Sequence, residues 1–222
     1  MTYRVLLIND DAFELTTLAE AMRLRGKNVV GEALTLISAQ NLLKTLRPDV
    51  IVIDAQFNKG GGIALAQVMR QEMIALGIVI TTACPDLRLL GLLEKDIPAG
   101  TQIVLKRSAA DLNILCHAVP DSIQALNDNE KMQWVNRFAS RYENSFISKT
   151  SQLTDVQAET LRLVAMGLSN GEIGRQRFVS EKSVEQIVAR IAAHIGIAPD
   201  RGHNLRVLMT IEFNKWVGSP RG

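Results

Sequence analysis

Val50-Ile51-Val52-Ile53-Asp54 is the stretch whose reading decides the architecture. Four consecutive apolar residues without alternation suit a strand covered on both faces, as in a parallel sheet with helices above and below. Asp54 then stands at that strand's carboxyl end, where open α/β sheets gather their ligands. Taken alone, the same residue serves equally well as a helix cap or a turn former.

Working outward, the chain alternates strand and helix on both sides of this run. Arg4 to Ile8 reads as a strand broken by Asn9-Asp10-Asp11, and Leu15, Leu18, Ala19 and Met22 then recur at helical intervals up to Gly26. Val29 to Leu34 gives a second strand and Ile37 to Leu46 a helix. After the central strand, Ile63 to Met73 reads as a helix and Ile78 to Thr82 as the fourth strand. A fourth helix is expected at Leu87 to Leu93, a fifth strand at Gln102 to Leu105 and a closing helix at Ala109 to Val119. Five strands, each followed by a helix, imply an α/β doubly wound parallel sheet with right-handed crossovers.

Composition bounds the alternatives. With 222 residues and 47% hydrophobic content the chain can bury a sizeable core, and its length fits two small domains. A net charge of +2 is too mild to indicate a nucleic-acid partner by itself, so the placement of charge has to decide. Cys84 and Cys116 lack paired metal-ligand spacing and read as packing residues in a reducing, cytoplasmic setting. The apolar segment at the amino terminus is too short for a signal peptide and no stretch reaches the length of a membrane span, so no membrane partner is expected.

In the doubly wound sheet, the strand ends carry Asp10 and Asp11, Asp54, Thr81 and Thr82, and Lys106. Polar groups gathered at one rim cost several kcal/mol each if buried without partners, roughly, so their convergence points to use. On these residues the first 120 or so positions resemble the receiver domain of two-component response regulators, whose fold is flavodoxin-like. The resemblance implies that Asp10 and Asp11 hold Mg²⁺ with Asp54 and the main-chain carbonyl of Gln56. It further implies that Asp54 accepts a phosphoryl group from a sensor histidine kinase, with Thr82 and Lys106 binding phosphoryl oxygens. Clustered carboxylates repel one another, and a divalent cation relieves that repulsion.

The chain departs from the receiver pattern at several positions. Phe57-Asn58 replaces the usual Met-Pro pair after the phosphoacceptor, and Ile103 stands where a switching aromatic is common. Gly60-Gly61-Gly62 lacks the Lys-Ser/Thr of a P-loop and reads as a flexible turn.

Composition shifts at Asp121 to Gln152, where Trp134, Val135, Phe138 and Tyr142 form a stripe at helical spacing. A helical linker at 123–150 follows, either presenting a partner surface or packing on its own receiver, with a hinge at Ser145 to Gln152. Beyond it, Thr154 caps a helix whose apolar face is Val156, Leu161, Val164 and Ala165. Ser169-Asn170 starts a short helix to Arg177, Ser180-Glu181 a longer one through Ile195, and His203 to Lys215 makes a fourth. Two helices joined by a tight turn suggest helix-turn-helix.

Leu153-Thr154, Gly167-Leu168-Ser169-Asn170, Glu172-Ile173, Val179-Ser180-Glu181, Ser183-Val184 and Gly196 together resemble the LuxR-type DNA-binding domain of NarL/FixJ regulators. That resemblance implies an all-α four-helix domain whose third helix enters the major groove of promoter DNA. Lys182, Ser183, Glu185, Gln186, Ala189 and Arg190 are then the outward candidates, with Gln186 suited to adenine and Arg190 to guanine or phosphate. Arg175 and Arg177 are assigned to phosphate contacts. Glu185 is either a solvated residue or an acceptor for cytosine. Residues 151–222 carry nine Lys or Arg against seven Asp or Glu, whereas residues 1–122 carry twelve against thirteen, which puts the basic surplus in the expected half.

The expected organisation is a receiver at 1–122, the linker at 123–150 and the helix-turn-helix domain at 151–222. The expected function is transcription regulation by a homodimer controlled through Asp54. Phosphorylation-independent DNA binding is the alternative, motivated by Ile103 and Phe57-Asn58. A Mg²⁺-dependent phosphohydrolase is a third possibility, opposed by Gln56, which stands where a second Asp would be needed.

Overall fold

The computed structural model describes residues 2–106, 111–135, 149–150, 152–198 and 202–217. Phe138, Tyr142, the start of the hinge at Ser145 and the first residues of the helix expected from Ala109 lie outside them. The chain divides into two compact units, one made of 1–82 and 94–139, the other of 83–93 and 140–222.

The first unit is a parallel sheet with strands β1 (Arg4–Ile8), β2 (Asn28–Ala33), β3 (Val50–Asp54), β4 (Gly77–Thr82), β5 (Gln102–Leu105) and β6 (Gln133–Val135), ordered β2-β1-β3-β4-β5-β6. All five residues of β3 and all six of β4 are buried, as the unalternating sequence requires. Helices α1 (Ala12–Leu24) and α4 (Leu112–Asn127) cover one face, while α2 (Leu36–Leu46) and α3 (Gly62–Glu72) cover the other. The α1/α4 side holds a continuous core of Val5, Leu7, Leu15, Met22, Val50, Val52, Val79, Val104 and Leu115.

Three elements depart from the sequence reading. The sheet has six strands, because Trp134 and Val135 belong to β6, paired in parallel with Ile103 and Val104 of β5, instead of to a linker helix. Helix α4 runs through Pro120 to Asn127 instead of ending at Val119. One missing amide is outweighed by the burial of Ser122 and Ala125, and a Cβ on Gly77 would sit 2.6 Å from the Ser122 hydroxyl.

The expected helix at Leu87–Leu93 is also absent. A single 3₁₀ turn, Leu87–Leu90, ends at Gly91 in the left-handed conformation (φ 76°), and a second short turn spans Glu94–Asp96. The 3₁₀ form is used in short pieces, and left-handed backbone suits glycine.

The second unit contains α5 (Asp155–Ala165), α6 (Asn170–Arg177), α7 (Glu181–His194) and α8 (Leu205–Val217). Thr154, Ser169 and Ser180 cap the first three of these with side-chain oxygens that accept amides of Gln157, Glu172 and Ser183. The core joins Leu153, Leu161, Ile173, Val184, Ile191, Met209 and Trp216, and it includes Cys84 and Leu89 from the 83–93 segment. Val156, expected on the apolar face of α5, is instead exposed, and Ala158 and Leu163 are buried in the helix instead.

Arg88 fixes the 83–93 segment into this unit. Its guanidinium pairs with Asp86 at 2.8 Å and Asp155 at 3.1 Å, and donates to the carbonyls of Leu153 at 2.8 Å and Thr150 at 3.0 Å. The bonds to Asp86 hold its pKa above that of an ordinary arginine.

Candidate functional site: a strand-end carboxylate site and a helix-turn-helix face

The first site forms at the carboxyl rim of the sheet. Parallel pairing sets Asp54 beside Thr81 and Ile53 beside Ile8, so the strand ends arrive together. Asp54 is 1% exposed and Thr82 fully buried. A carboxylate this deep needs partners. One Asp54 oxygen accepts the Lys106 ammonium at 2.8 Å and the other the Gln56 amide at 3.1 Å. Lys106 is carried in by β5 and anchored through its own amide, which donates to the Thr82 carbonyl.

The acidic pair is engaged in different ways. Asp11 is the N-cap of α1 and accepts the Glu14 amide at 2.9 Å, so the residue expected to hold metal also caps the helix. Asp10 accepts the Asn58 amide at 3.0 Å, which ties the loop after β3 to the loop after β1. In that loop Asn58 and Lys59 both have positive φ, 51° and 59°. Left-handed backbone in a non-glycine residue costs on the order of 1 kcal/mol, so strain is stored beside the phosphoacceptor candidate.

The Gly60-Gly61-Gly62 turn proves to have a steric role. A Cβ at Gly62 would come within 2.0 Å of the Asp54 carbonyl, so α3 can begin here only with glycine.

Glu14 is the site residue that sequence reading missed. Its carboxylate grips the Lys106 ammonium at 2.6 and 2.9 Å, so that one lysine bridges Glu14 and Asp54. An acidic residue in the first turn of a helix is expected from the helix dipole alone, which left nothing in the sequence to mark it. Ile103 is fully buried within β5.

Asp10, Asp11, Asp54 and the Gln56 carbonyl offer only hard oxygen donors, the chemistry magnesium prefers, and magnesium usually keeps several waters besides its carboxylates. Among the described residues no three His, Cys, Asp or Glu side chains are grouped as a metal cluster. The donor chemistry fits magnesium in its usual, largely hydrated form.

The second site is the outer face of α7. Lys182, Glu185, Gln186, Ala189 and Arg190 are exposed, opposite the buried Val184, Val188 and Ile191. Ser183 is partly buried, its hydroxyl 2.7 Å from that of Ser180. The turn before α7 is tight: a Cβ on Gly174 would lie 2.7 Å from the Val179 carbonyl. Phe178 in this turn is left-handed and 95% exposed.

Arg175 is exposed and paired with Glu172. Arg177, assigned from the sequence to phosphate contact, has its side chain 14% exposed, donates to the Val156 carbonyl at 3.1 Å and to the Thr160 hydroxyl, and ties α6 to α5. Arg206, unremarked in the sequence, binds Asn170 and the Leu168 carbonyl and so joins α8 to the start of α6.

Residues 151–201 match the family model described as bacterial regulatory proteins, luxR family. Residues 151–201 therefore carry a luxR-type helix-turn-helix region, and it follows a parallel α/β unit in chain order.

Among curated proteins it is similar to the DNA-binding transcriptional activator DevR/DosR of Mycobacterium tuberculosis, 29% identical over 77% of each chain. It is also similar to the transcriptional regulatory protein LiaR of Bacillus subtilis, 27% identical over 88% of this chain and 92% of the other.

Among solved structures, a DNA complex of the two-component response regulator RcsB aligns over 98% of this chain and 100% of the other, with a TM-score of 0.54 and 23% identity. RcsB of Salmonella enterica serovar Typhimurium, bound to promoter DNA with a phosphomimetic, aligns over 98% and 99% with a TM-score of 0.53 and 22% identity. These likenesses bear on the fold. None of the described helices is long and apolar enough to cross a membrane.

Proposed function

We propose that this chain is a DNA-binding transcription regulator whose grip on a promoter is set by phosphorylation of Asp54. The observation that carries the proposal is the buried Asp54 carboxylate, held by Lys106 at a strand end in a chain that also exposes a polar recognition face on α7.

The phosphoryl donor is a sensor histidine kinase. An Asp54 oxygen attacks phosphorus, a P–O bond forms as the P–N bond to the kinase histidine breaks, and the histidine nitrogen leaves with the electron pair. Lys106 and Thr82 then bind phosphoryl oxygens. Asp10, Asp11, Asp54 and the Gln56 carbonyl would hold magnesium, which when bound supplies charge neutralisation for the carboxylates and the incoming phosphoryl group. Water returns the acyl phosphate slowly to Asp54 and inorganic phosphate, the only turnover expected of a protein that is otherwise not an enzyme.

The receiver takes in α4 to Asn127 and β6 at Gln133–Val135, beyond the expected boundary at 122, and the DNA-binding domain is 151–222. On DNA, Gln186 and Arg190 read base edges, Lys182, Ser183 and Glu185 flank them, and Arg175 contacts phosphate. Arg177 positions α6 against α5 instead of touching DNA. The active form is a cytoplasmic homodimer on two half-sites.

A second reading, DNA binding independent of phosphorylation, draws on the buried Ile103 and on the occupation of Lys106 by Glu14. Labelling by a phosphohistidine donor in Asp54→Asn, together with promoter affinity with and without a phosphomimetic, separates the two. Lost labelling and a phosphomimetic-dependent gain in affinity support the first; equal affinities support the second.

A further inference from the structure

We infer that Glu14 is a specificity-determining residue of the phosphoacceptor site: an internal carboxylate that competes with the phosphoryl group for Lys106 and so sets how strongly the site holds it. The inference rests on the phosphoacceptor reading of Asp54 and adds a residue to it.

The geometry is that of a shared cation. An ammonium group has three protons to donate and no acceptor. Lys106 directs this capacity to two carboxylates: Asp54 Oδ2 at 2.8 Å, and Glu14 at 2.6 Å to Oε1 and 2.9 Å to Oε2. Glu14 thus engages the ammonium through both oxygens where Asp54 uses one. Its backbone is fixed as well, since its amide donates to Asp11 at the cap of α1. Lys106 and Glu14 are only part-exposed, their side chains 22% and 33% accessible, so solvent screens the pair less than it screens a surface one.

A phosphoryl group on Asp54 brings roughly −1.5 to −2 charges and acceptor oxygens next to Lys106. To meet them the ammonium must turn away from Glu14 or divide its protons between the two. In either case the Glu14 carboxylate remains nearby as a like charge. Replacing it with an amide of the same shape removes the repulsion and reduces the competition to that of a neutral acceptor. A side chain that merely supported the fold would act in the opposite sense, since its loss would weaken ligand binding.

The test uses the full chain with magnesium chloride and beryllium fluoride, a non-covalent phosphoryl mimic, followed by ¹⁹F NMR titration. Asp54→Asn serves as the control. Glu14→Gln is expected to tighten apparent beryllofluoride affinity by about three- to tenfold, the range over which a part-buried ion pair competes. Binding should be lost in Asp54→Asn whether or not Glu14 is changed. If Glu14→Gln binds no more tightly than the unaltered chain while Asp54→Asn still abolishes the signal, the competitor role is overturned and the site stands. If no Asp54-dependent binding occurs in either chain, the phosphoacceptor reading falls and the competitor role falls with it.

Discussion

Lys106 and Arg88 are two cations in the same situation with different consequences. Each stands between a buried and a more exposed carboxylate: Lys106 between Asp54 and Glu14 in the first unit, Arg88 between Asp86 and Asp155 in the second. Lysine offers a compact charge on a flexible stem whose protons can be reassigned, whereas the guanidinium fork has fixed donor directions. Arg88 uses those directions on two main-chain carbonyls as well, so four groups hold it in one place. The difference separates a contact suited to exchange partners from one suited to hold a segment still.

The contrast breaks most visibly at the carboxylates. Asp54→Asn removes the proposed nucleophile and is expected to abolish labelling by a phosphohistidine donor, while the helical content of the chain, read by far-UV circular dichroism, stays unchanged. Gly62→Ala forces a methyl against the Asp54 carbonyl, and a loss of about 1–3 kcal/mol in stability to urea is expected, together with slower labelling.

Arg88→Met keeps the length of the side chain but strands the 8%-exposed Asp86 and two carbonyls. It is expected to destabilise the second unit by roughly 2 kcal/mol in a denaturant melt while labelling of Asp54 persists. If Arg88→Met were neutral, the fixed-contact side of the comparison would fail. At the recognition face the effects are smaller still. Gln186→Ala is expected to change affinity by on the order of 1 kcal/mol at the position it reads, and Arg175→Ala to weaken all sequences alike by no more than that, with a shallower salt dependence. Binding measured over a set of operator variants checks both.

Much of this was readable in the sequence wherever periodicity and chemistry agreed. The unalternating run at Val50–Ile53 and the polar residues ending the neighbouring strands located the rim, and the Gly-Leu-Ser-Asn text located the helix-turn-helix. What escaped had weak or misleading local signals. Leu87, Leu89, Leu90, Leu92 and Leu93 read as a helix by composition, but Gly91 breaks the run and Leu89 packs into the core of the second unit. Three residues are too few to announce β6, and Trp134 and Val135 shared a helical spacing with Phe138 and Tyr142. Arg177 read as a phosphate contact by its charge alone, whereas the Val156 carbonyl and Thr160 hydroxyl engage it within the domain. Glu14 was hidden because its partner lies 92 residues away.

The central claim is that added charge at the Asp54 rim changes how α7 is presented to DNA. Its most direct test is the anisotropy of a labelled promoter fragment, selected by the purified chain, titrated with protein in the presence and absence of beryllium fluoride and magnesium. The account predicts binding tighter by about tenfold with the mimic, a coupling of ordinary size, and no change in Asp54→Asn. Superimposable curves for the unaltered chain with and without the mimic would contradict it.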